Sequence, residues 1–169
     1  MKAPAWLLTM NGGCRVAVGE GELVHIISGE VERVFVPGKS ERITEFIVWE
    51  NRQLPLFDVV GALRSDNSAS GSMATAVNDR GAIIAIAAYQ HSNAQQVEFG
   101  ALPVYALPER IEVSDDSGCE LPPESAGWRG LAHSCFKHQQ HGAVPILNLG
   151  RVFAPALNSG YPCERSDQS

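Results

Sequence analysis

The sequence has no excess of basic residues. Its 169 residues include 13 lysines and arginines against 19 aspartates and glutamates, which gives a formal net charge of −6 at pH 7. A protein that binds nucleic acid normally carries clustered Lys and Arg to meet the phosphate backbone, and this sequence has no such cluster. The charge balance therefore argues against a nucleic-acid partner.

Long apolar runs are also missing. The longest, AIIAIAAY at 82–89, is far shorter than the roughly 20 residues that a membrane-spanning helix needs. The N-terminal apolar run at 5–10 is interrupted by Thr9 and is too short for the hydrophobic region of a signal peptide. We therefore expect a soluble, cytoplasmic protein that is not inserted directly into a membrane.

Cysteine is scarce and scattered. The four cysteines, Cys14, Cys119, Cys135 and Cys163, form no CxxC pair, so the sequence indicates neither a disulfide framework nor a zinc ribbon. The GxSxG, P-loop and GxGxxG motifs, which mark common hydrolase and nucleotide-binding sites, are absent as well. We expect reduced thiols, and the missing motifs make an enzymatic function the weaker interpretation.

What the sequence does contain is many short segments rich in Val, Ile and aromatic residues, separated by Gly, Pro, Asn and Asp. This composition predicts short strands joined by turns. Short helices are the alternative at 20–29, in competition with a strand there, and at 150–157. Since no helical pattern lies between the strands to form crossovers, an all-β barrel or sandwich is favoured over an α/β fold. The predicted strands are 14–18, 22–27, 31–36, 43–49, 53–59, 82–89, 110–113, 131–136 and 143–149.

The chain length fits a single domain, at 1–157, that contains two small lobes. A segment at 64–74 is rich in Ser, Gly and Asn, which is typical of a flexible connection. It divides the domain into lobes at about 1–63 and 75–157. The final segment, 158–169, has the composition of a solvated tail.

An internal echo supports two similar lobes. LPLFDVVGAL (54–63) and VPILNLGRVF (144–153) lie 90 positions apart and share the order apolar, Pro, apolar, apolar, Asp or Asn, apolar. A chance match is the alternative. The better interpretation is a pair of small β lobes, one on each side of the Ser-rich connection.

Each copy of the echo carries a proline, Pro55 or Pro145. Because proline has no amide donor, both are expected near a strand start or at a sheet edge. The residues that follow them, Leu56 and Ile146, are predicted to occupy equivalent buried positions in the two lobes.

HSCFKHQQH, at 133–141, places three histidines and a cysteine in nine residues. His133, Cys135, His138 and His141 are residue types that zinc prefers, so a small metal-binding enzyme is the alternative function for the chain. A hairpin also explains the segment: a strand with His133 and Cys135 on one face, a polar turn, and a return strand. The spacing matches no familiar zinc pattern, and a hairpin does not bring four such side chains together. We therefore favour the hairpin without a metal.

WENRQLP predicts another hairpin, with Trp49 at the end of one strand, Glu50, Asn51 and Arg52 in a charged turn, and the next strand starting at Leu54. An ordinary turn is one interpretation. The other is a recognition edge, since a charged tip beside an aromatic residue on a rigid barrel is well placed to bind a partner.

Taken in order, these segments resemble the CheW-like adaptor family of bacterial chemosensory systems over about residues 4–155. FIVWENRQLPLFDV (46–59) occupies the place of the family's apolar strand, Asn-Leu-Arg-Gly turn and apolar-Pro-apolar-apolar-Asp-Leu strand. The segments 82–113 and 130–153 resemble the opening strands and the closing hairpin of the second half. Within the family the chain is most similar to the divergent adaptors of pilus-type (twitching) systems.

The resemblance implies a fold of two intertwined five-stranded SH3-like barrels with a shared core and short helices. It implies no catalysis, no cofactor and no metal. As partners it implies the regulatory domain of a histidine kinase and the cytoplasmic tip of a methyl-accepting-type receptor, so that the chain would place the kinase under receptor control.

The sequence departs from the family pattern at two places. The family's Arg-Gly falls on Glu50 and Asn51, which inverts the charge unless the alignment slips by two and Arg52 supplies it. VERV (31–34) only approximates the family's Val-x-Glu-Ile. Both departures bear on receptor recognition more than on the fold. The predicted interaction residues are Val31, Val34, Trp49, Glu50, Asn51 and Arg52.

Overall fold

A computed structural model of the chain describes residues 1–36, 45–67, 83–90, 95–123 and 127–154. Within these residues, none of the helices is long and apolar enough to cross a membrane. The strands there are β1 (Lys2–Thr9), β2 (Arg15–Gly19), β3 (Leu23–Ile27), β4 (Arg33–Phe35), β5 (Glu45–Trp49), β6 (Arg52–Leu56), β7 (Ile83–Tyr89), β8 (Glu98–Val104), β9 (Glu109–Ser114), β10 (Ala132–His138) and β11 (Gly142–Leu147). The α-helices there are α1 (Val59–Asn67), α2 (Trp128–Leu131) and α3 (Leu149–Val152), and 3₁₀ turns lie at Asn11–Gly13, Glu20–Glu22 and Asp115–Ser117.

The strands form two sheets, with the spatial orders β10-β11-β2-β1-β9 and β3-β7-β8-β6-β5-β4. Neighbouring strands are antiparallel, apart from β11 with β2 and β6 with β8, which are parallel. The all-β prediction is confirmed. Of the two helix candidates, the second contains part of α3, whereas the first contains the strand β3.

The two halves of the chain exchange strands between the sheets. The β1–β2 hairpin of the first half joins β9, β10 and β11, and the β7–β8 hairpin of the second half joins β3 to β6. Apart from β4, each half follows the same plan: a hairpin, a third strand and a second hairpin. The predicted intertwining is confirmed. Each described sheet has five strands of this plan, and the second carries the three-residue β4 at its edge in addition.

The predicted connection at 64–74 falls between these two halves. Its first four residues lie in α1, which extends to Asn67. The rest of it, 68–74, lies outside the described residues, as does the predicted tail at 158–169. Because each sheet draws on both halves, 1–63 and 75–157 correspond to halves of the sequence rather than to the two sheets.

The sequence echo has a structural counterpart. Leu56 pairs with Ala101 across β6 and β8, and Ile146 pairs with Ala17 across β11 and β2. Each residue therefore sits at the parallel junction where the second hairpin of one half meets the first hairpin of the other half. The predicted equivalence of Leu56 and Ile146 is confirmed, but the predicted burial holds only for Leu56, since Ile146 is half-buried.

In both copies of the echo the strand is followed by a helix that begins after an Asp or Asn. The Gly61 amide donates to Asp58 Oδ1 at 3.1 Å, and the Arg151 amide donates to Asn148 Oδ1 at 3.3 Å. Such caps satisfy helix amides that have no carbonyl partner inside the helix. The polar residue of the echo is therefore a helix-start signal shared by α1 and α3.

The expected position of the two prolines is wrong. Pro55 is the fourth residue of β6, between β5 and β8, and Pro145 is the fourth residue of β11, between β10 and β2. Alternate amides of a strand point to the same neighbour, and the Phe57 amide donates to the Ala101 carbonyl of β8 at 3.0 Å. The nitrogen of Pro55 therefore also faces β8. It lies just before the pairing of β6 with β8 begins, where no donor is needed.

The buried apolar residues form three clusters. The largest, the shared core, takes residues from both sheets, and each of two inner cores takes its residues from one sheet. One inner core joins Ile27 of β3 to Ile47 of β5, and the other joins Ile111 of β9 to Phe136 of β10. In a flat sheet, strands four places apart would be separated by roughly 19 Å. Both sheets must therefore curl into barrels around their inner cores.

Candidate functional site

The hairpin between β5 and β6 carries four of the predicted interaction residues. Trp49 pairs with Arg52, and Glu50 and Asn51 form the exposed two-residue turn. Both turn residues have positive φ, 48° and 61°, as a type I′ hairpin turn requires. The hairpin prediction is confirmed, although the second strand begins at Arg52 rather than at Leu54.

Trp49 and Arg52 belong to a group that we call the Trp49 cluster, made of His25, Trp49, Arg52 and Phe99. The centroid of the Trp49 ring lies 5.8 Å from that of His25 and 5.8 Å from that of Phe99. Arg52 Cζ lies 5.9 Å from the centroid of the Phe99 ring. These are aromatic and cation–π distances. Because Trp49 and Phe99 also pack against the inner core of the six-stranded sheet, the cluster is a fixed surface.

The sequence analysis did not identify His25 and Phe99 as site residues. They reach Trp49 from β3 and β8, neither of which is adjacent to β5 in the sheet. The contact exists because the sheet curls. No signal in the sequence links either residue to WENRQLP, since strand periodicity indicates the face of a residue but not its neighbours across the sheet.

The two predicted valines lie on opposite faces of the sheet. Val31 is half-buried against the same inner core as Trp49. Val34 of β4 pairs with Phe46 of β5, and Phe46 packs against the shared core. Phe46 and Trp49 are three residues apart in one strand, so they face opposite sides. Val31 therefore packs on the same inner core as Trp49, whereas Val34 faces the other side of the sheet.

A cleft of about 240 Å³ opens beside the Trp49 cluster. The register of β6 with β8 is set at Leu56 and Ala101, and residues that precede this pair in both strands line the cleft. Arg52 and Glu98 place opposite charges in its wall, and Val97 there is 55% exposed. Apolar walls with a few charged groups suit the binding of a partner's side chain. The cleft is lined by Phe46, Arg52, Gln53, Leu54, Pro55, Tyr89, Val97, Glu98 and Phe99.

Tyr89 is the buried tyrosine in the wall of this cleft. Burial raises the pKa of its hydroxyl to about 12, and the Glu98 carboxylate adds to the rise. The hydroxyl therefore stays neutral near pH 7, far from the pKa that a general base needs there. Tyr89 contributes to the cleft as apolar surface with a neutral polar group.

The histidine-rich segment forms the predicted hairpin, between β10 and β11. The rings of His138 and His141 stack, with their centroids 4.8 Å apart and their planes inclined by 19°. Partial burial lowers the pKa of His141, and the positive charge of Arg15 and the neighbouring His138 lower it further. At neutral pH, His141 is therefore kept in its uncharged form, which suits the stacked arrangement.

The prediction that His133 and Cys135 share a face is wrong. His133 is exposed and Cys135 is buried. The register between β10 and β11 shifts between Ala132 and Ser134, and one extra residue in a strand breaks the alternation of faces. The four-ligand cluster that the alternative interpretation requires is not assembled. In the ranges that the structure describes, no group of three or more His, Cys, Asp or Glu side chains is placed to hold a metal ion.

Protein purified without added metal is expected to contain far less than about one equivalent of zinc, because a tetrahedral site needs more ligands than the stacked His138 and His141 provide. The measurement is elemental analysis by plasma mass spectrometry, with the double variant His138→Ala, His141→Ala as the comparison. A stoichiometric zinc content in the wild type that the double variant loses would contradict this expectation.

Neither a protein-family model nor a curated protein sequence matches the chain. Two curled sheets that exchange hairpins around a shared core nevertheless define a specific class of two-barrel β protein. The fold is CheW-like. The crystal structure of the scaffolding protein TtCheW from Thermoanaerobacter tengcongensis aligns with a TM-score of 0.64 and 15% sequence identity, over 90% of this chain and 93% of that chain.

Proposed function

We propose that this chain is a non-catalytic adaptor that couples a chemoreceptor to a histidine kinase in a bacterial chemosensory pathway. The main support is the extent of the structural likeness: 90% of the chain aligns with a protein described as a scaffolding protein. The aligned part includes both barrels rather than one small β module. The sequence resemblance favours a pathway of the pilus type, with type IV pilus motility as its output.

The proposed partners are the regulatory domain of the kinase and the cytoplasmic tip of a methyl-accepting-type receptor. Both partners place the adaptor in the cytoplasm, and neither requires a cofactor, a nucleic acid or insertion into a membrane. The net charge of −6 is consistent with protein partners, since a nucleic-acid binder would need a basic surface.

The surface that we propose for one partner contains Trp49, Glu50, Asn51, Arg52 and Val31. A half-buried aromatic group with an Arg beside it is typical of the residues that contribute most to binding at protein interfaces. The exposed turn adds charge at the rim, where it determines which partner is accepted more than how tightly it binds. We assign Val34, which faces the other side of the sheet, to a second surface.

Glu50→Arg is expected to weaken the complex at the hairpin tip by roughly tenfold or more, because the proposed partner surface is basic or neutral and like charges in contact cost several kcal/mol. Glu50 is exposed and has a positive φ that neither Glu nor Arg favours, so the melting temperature should not change. The measurement is titration calorimetry with the purified kinase regulatory domain and receptor tip from the same genome.

Glu120→Arg is the control with the same change in net charge. Glu120 is exposed and follows the bridge between Gly118 and Phe136, which belongs to the five-stranded sheet. Arg52→Glu, tested separately, also removes the cation that lies over Phe99 and should weaken binding too. Unchanged affinity of both variants for both partners would mean that the hairpin is only a turn. Failure of the wild type to bind either partner would instead contradict the adaptor function.

A further inference from the structure

Cys135, the cysteine of the histidine-rich hairpin, lies beside another cysteine rather than a histidine. Its sulfur is 3.4 Å from the sulfur of Cys119. The two thiols differ in access, since Cys135 is only 5% exposed in β10 and Cys119 is exposed to solvent. An accessible thiol in contact with a protected one is a suitable arrangement for thiol chemistry that starts at the surface and finishes inside the protein.

The backbone fixes this contact. Gly118 and Phe136 form an antiparallel bridge, which places Cys119 directly opposite Cys135, and the Cys119 amide donates to the Cys135 carbonyl at 3.0 Å. Opposite residues in a hydrogen-bonded antiparallel pair have Cα atoms about 5.5 Å apart. Disulfides span Cα separations of about 4.4–6.8 Å. The two residues can therefore be joined without moving the backbone.

We propose that Cys119 and Cys135 form a reversible disulfide when the protein meets a peroxide, and that the bond reopens in the presence of a thiol reductant. The pair is thus a modification site, separate from the adaptor surface around Trp49. It does not depend on the proposed function.

The reaction proceeds in two steps. The Cys119 sulfur attacks one oxygen of hydrogen peroxide, the O–O bond breaks, and a sulfenic acid and one water form. The Cys135 sulfur then attacks the Cys119 sulfur, displaces the hydroxyl group as a second water and loses its own proton to it. The two thiols have then lost two hydrogens, and the peroxide has been reduced to water.

The environment of each thiol sets this order. Burial raises the pKa of the Cys135 thiol to about 12, and the adjacent Cys119 adds to the rise. Cys135 therefore stays protonated and unreactive towards reagents in solution, since the thiolate is the nucleophile. Cys119 reacts first because it is exposed. The attack by Cys135 is then the slower step, made possible by its position in contact with Cys119.

The disulfide would join the segment that follows β9 to an edge strand of the five-stranded sheet. Cys119 follows the 3₁₀ turn after β9, and Cys135 lies in the edge strand β10. The two residues are 16 positions apart in sequence, and a cross-link of this length restricts the unfolded chain. The oxidised protein should therefore melt at a higher temperature than the reduced protein.

Tryptic mapping of the full chain tests the proposal. Cleavage after Arg110, Arg129 and Lys137 places Cys119 in the peptide 111–129 and Cys135 in the peptide 130–137. Reduced protein is treated with hydrogen peroxide, its remaining thiols are alkylated, and the peptides are identified by mass spectrometry. The expected product is the cross-linked pair of these two peptides, at least about tenfold more abundant than any other cysteine pair and converted back to single peptides by dithiothreitol.

Cys119→Ser is the matched variant, because its side chain is exposed and the change should not affect folding. It should form no cross-link with the peptide 130–137 and show no rise in melting temperature on oxidation. The proposal would be overturned if Cys119 accumulates as sulfinic or sulfonic acid while Cys135 remains a thiol. Preferential pairing of Cys119 with Cys14 or Cys163, or a lower melting temperature of the cross-linked wild type, would overturn it as well.

Discussion

Phe153→Ala should lower the free energy of unfolding by about 3–5 kcal/mol, the range for removing a fully buried aromatic side chain. Phe153 has no exposed surface. Its ring stacks on that of Tyr89, with the ring centroids 5.0 Å apart, and makes an edge-to-face contact with Phe57, with the centroids 6.3 Å apart. On a third side it covers Gly100, where an added Cβ would overlap the ring. The ring therefore joins β7, β8 and the end of β6 through the shared core, and the variant would leave a cavity between them.

The measurement is urea unfolding followed by tryptophan fluorescence. Phe35→Ala is the control, because Phe35 is 64% exposed on β4 and its loss should change the stability by no more than about 0.5 kcal/mol. If Phe153→Ala does not fold, Phe153→Leu should still show a smaller loss in the same direction. Equal stabilities for the two alanine variants would contradict the assignment of Phe153 to the shared core.

Leu56→Ala should destabilise the protein by about 2–5 kcal/mol, and Ile146→Ala should cost less than Leu56→Ala. Leu56 is 8% exposed inside the inner core of the six-stranded sheet. Ile146, at the equivalent parallel junction, is half-buried and packs against the other inner core from its border. The equivalent positions in the two barrels therefore differ in how much apolar surface is lost.

The same unfolding measurement applies, with Leu107→Ala as the control, since Leu107 is 72% exposed. The control should lie within about 0.5 kcal/mol of the wild type. A larger loss for Ile146→Ala than for Leu56→Ala would show that burial at the two junctions is not as the structure places it. If neither variant lowers the free energy of unfolding, the two echo segments do not help to determine the fold.

The sequence was sufficient to predict the all-β class and the hairpins at Trp49 and at the histidine-rich segment, because alternation and turn residues are local signals. It did not predict β1 and β8. Pro4 in β1 and Gly100 and Pro103 in β8 are residues that argue against a strand, and tertiary pairing outweighs them. The helix α1 was also missed, because Gly61 lowers the helix propensity of an already short apolar pattern.

Within the candidate site, the sequence predicted the contacts between residues of one hairpin and missed the contacts between residues of strands that are not adjacent. Trp49, Glu50, Asn51 and Arg52 are neighbours in one hairpin, so their proximity follows from a turn signal. The contact of Trp49 with Phe99 depends on the curl of the sheet, which no periodicity encodes. The face of Cys135 was predicted wrongly because a single inserted residue near His133 turns every later side chain of the strand to the opposite face of the sheet.

The exchange of hairpins between the two halves has a consequence for how the protein is made. As the chain emerges from the ribosome, β1 and β2 appear first, but their partners in the second half, β9 for β1 and β11 for β2, are made later. Likewise β3 and β6 pair with β7 and β8, which are synthesised later. The six-stranded barrel can close only after β8, which ends at Val104, and the five-stranded barrel only after β11, which ends at Leu147. Such late, long-range pairing slows folding and leaves unpaired strand edges open to misassociation on the nascent chain.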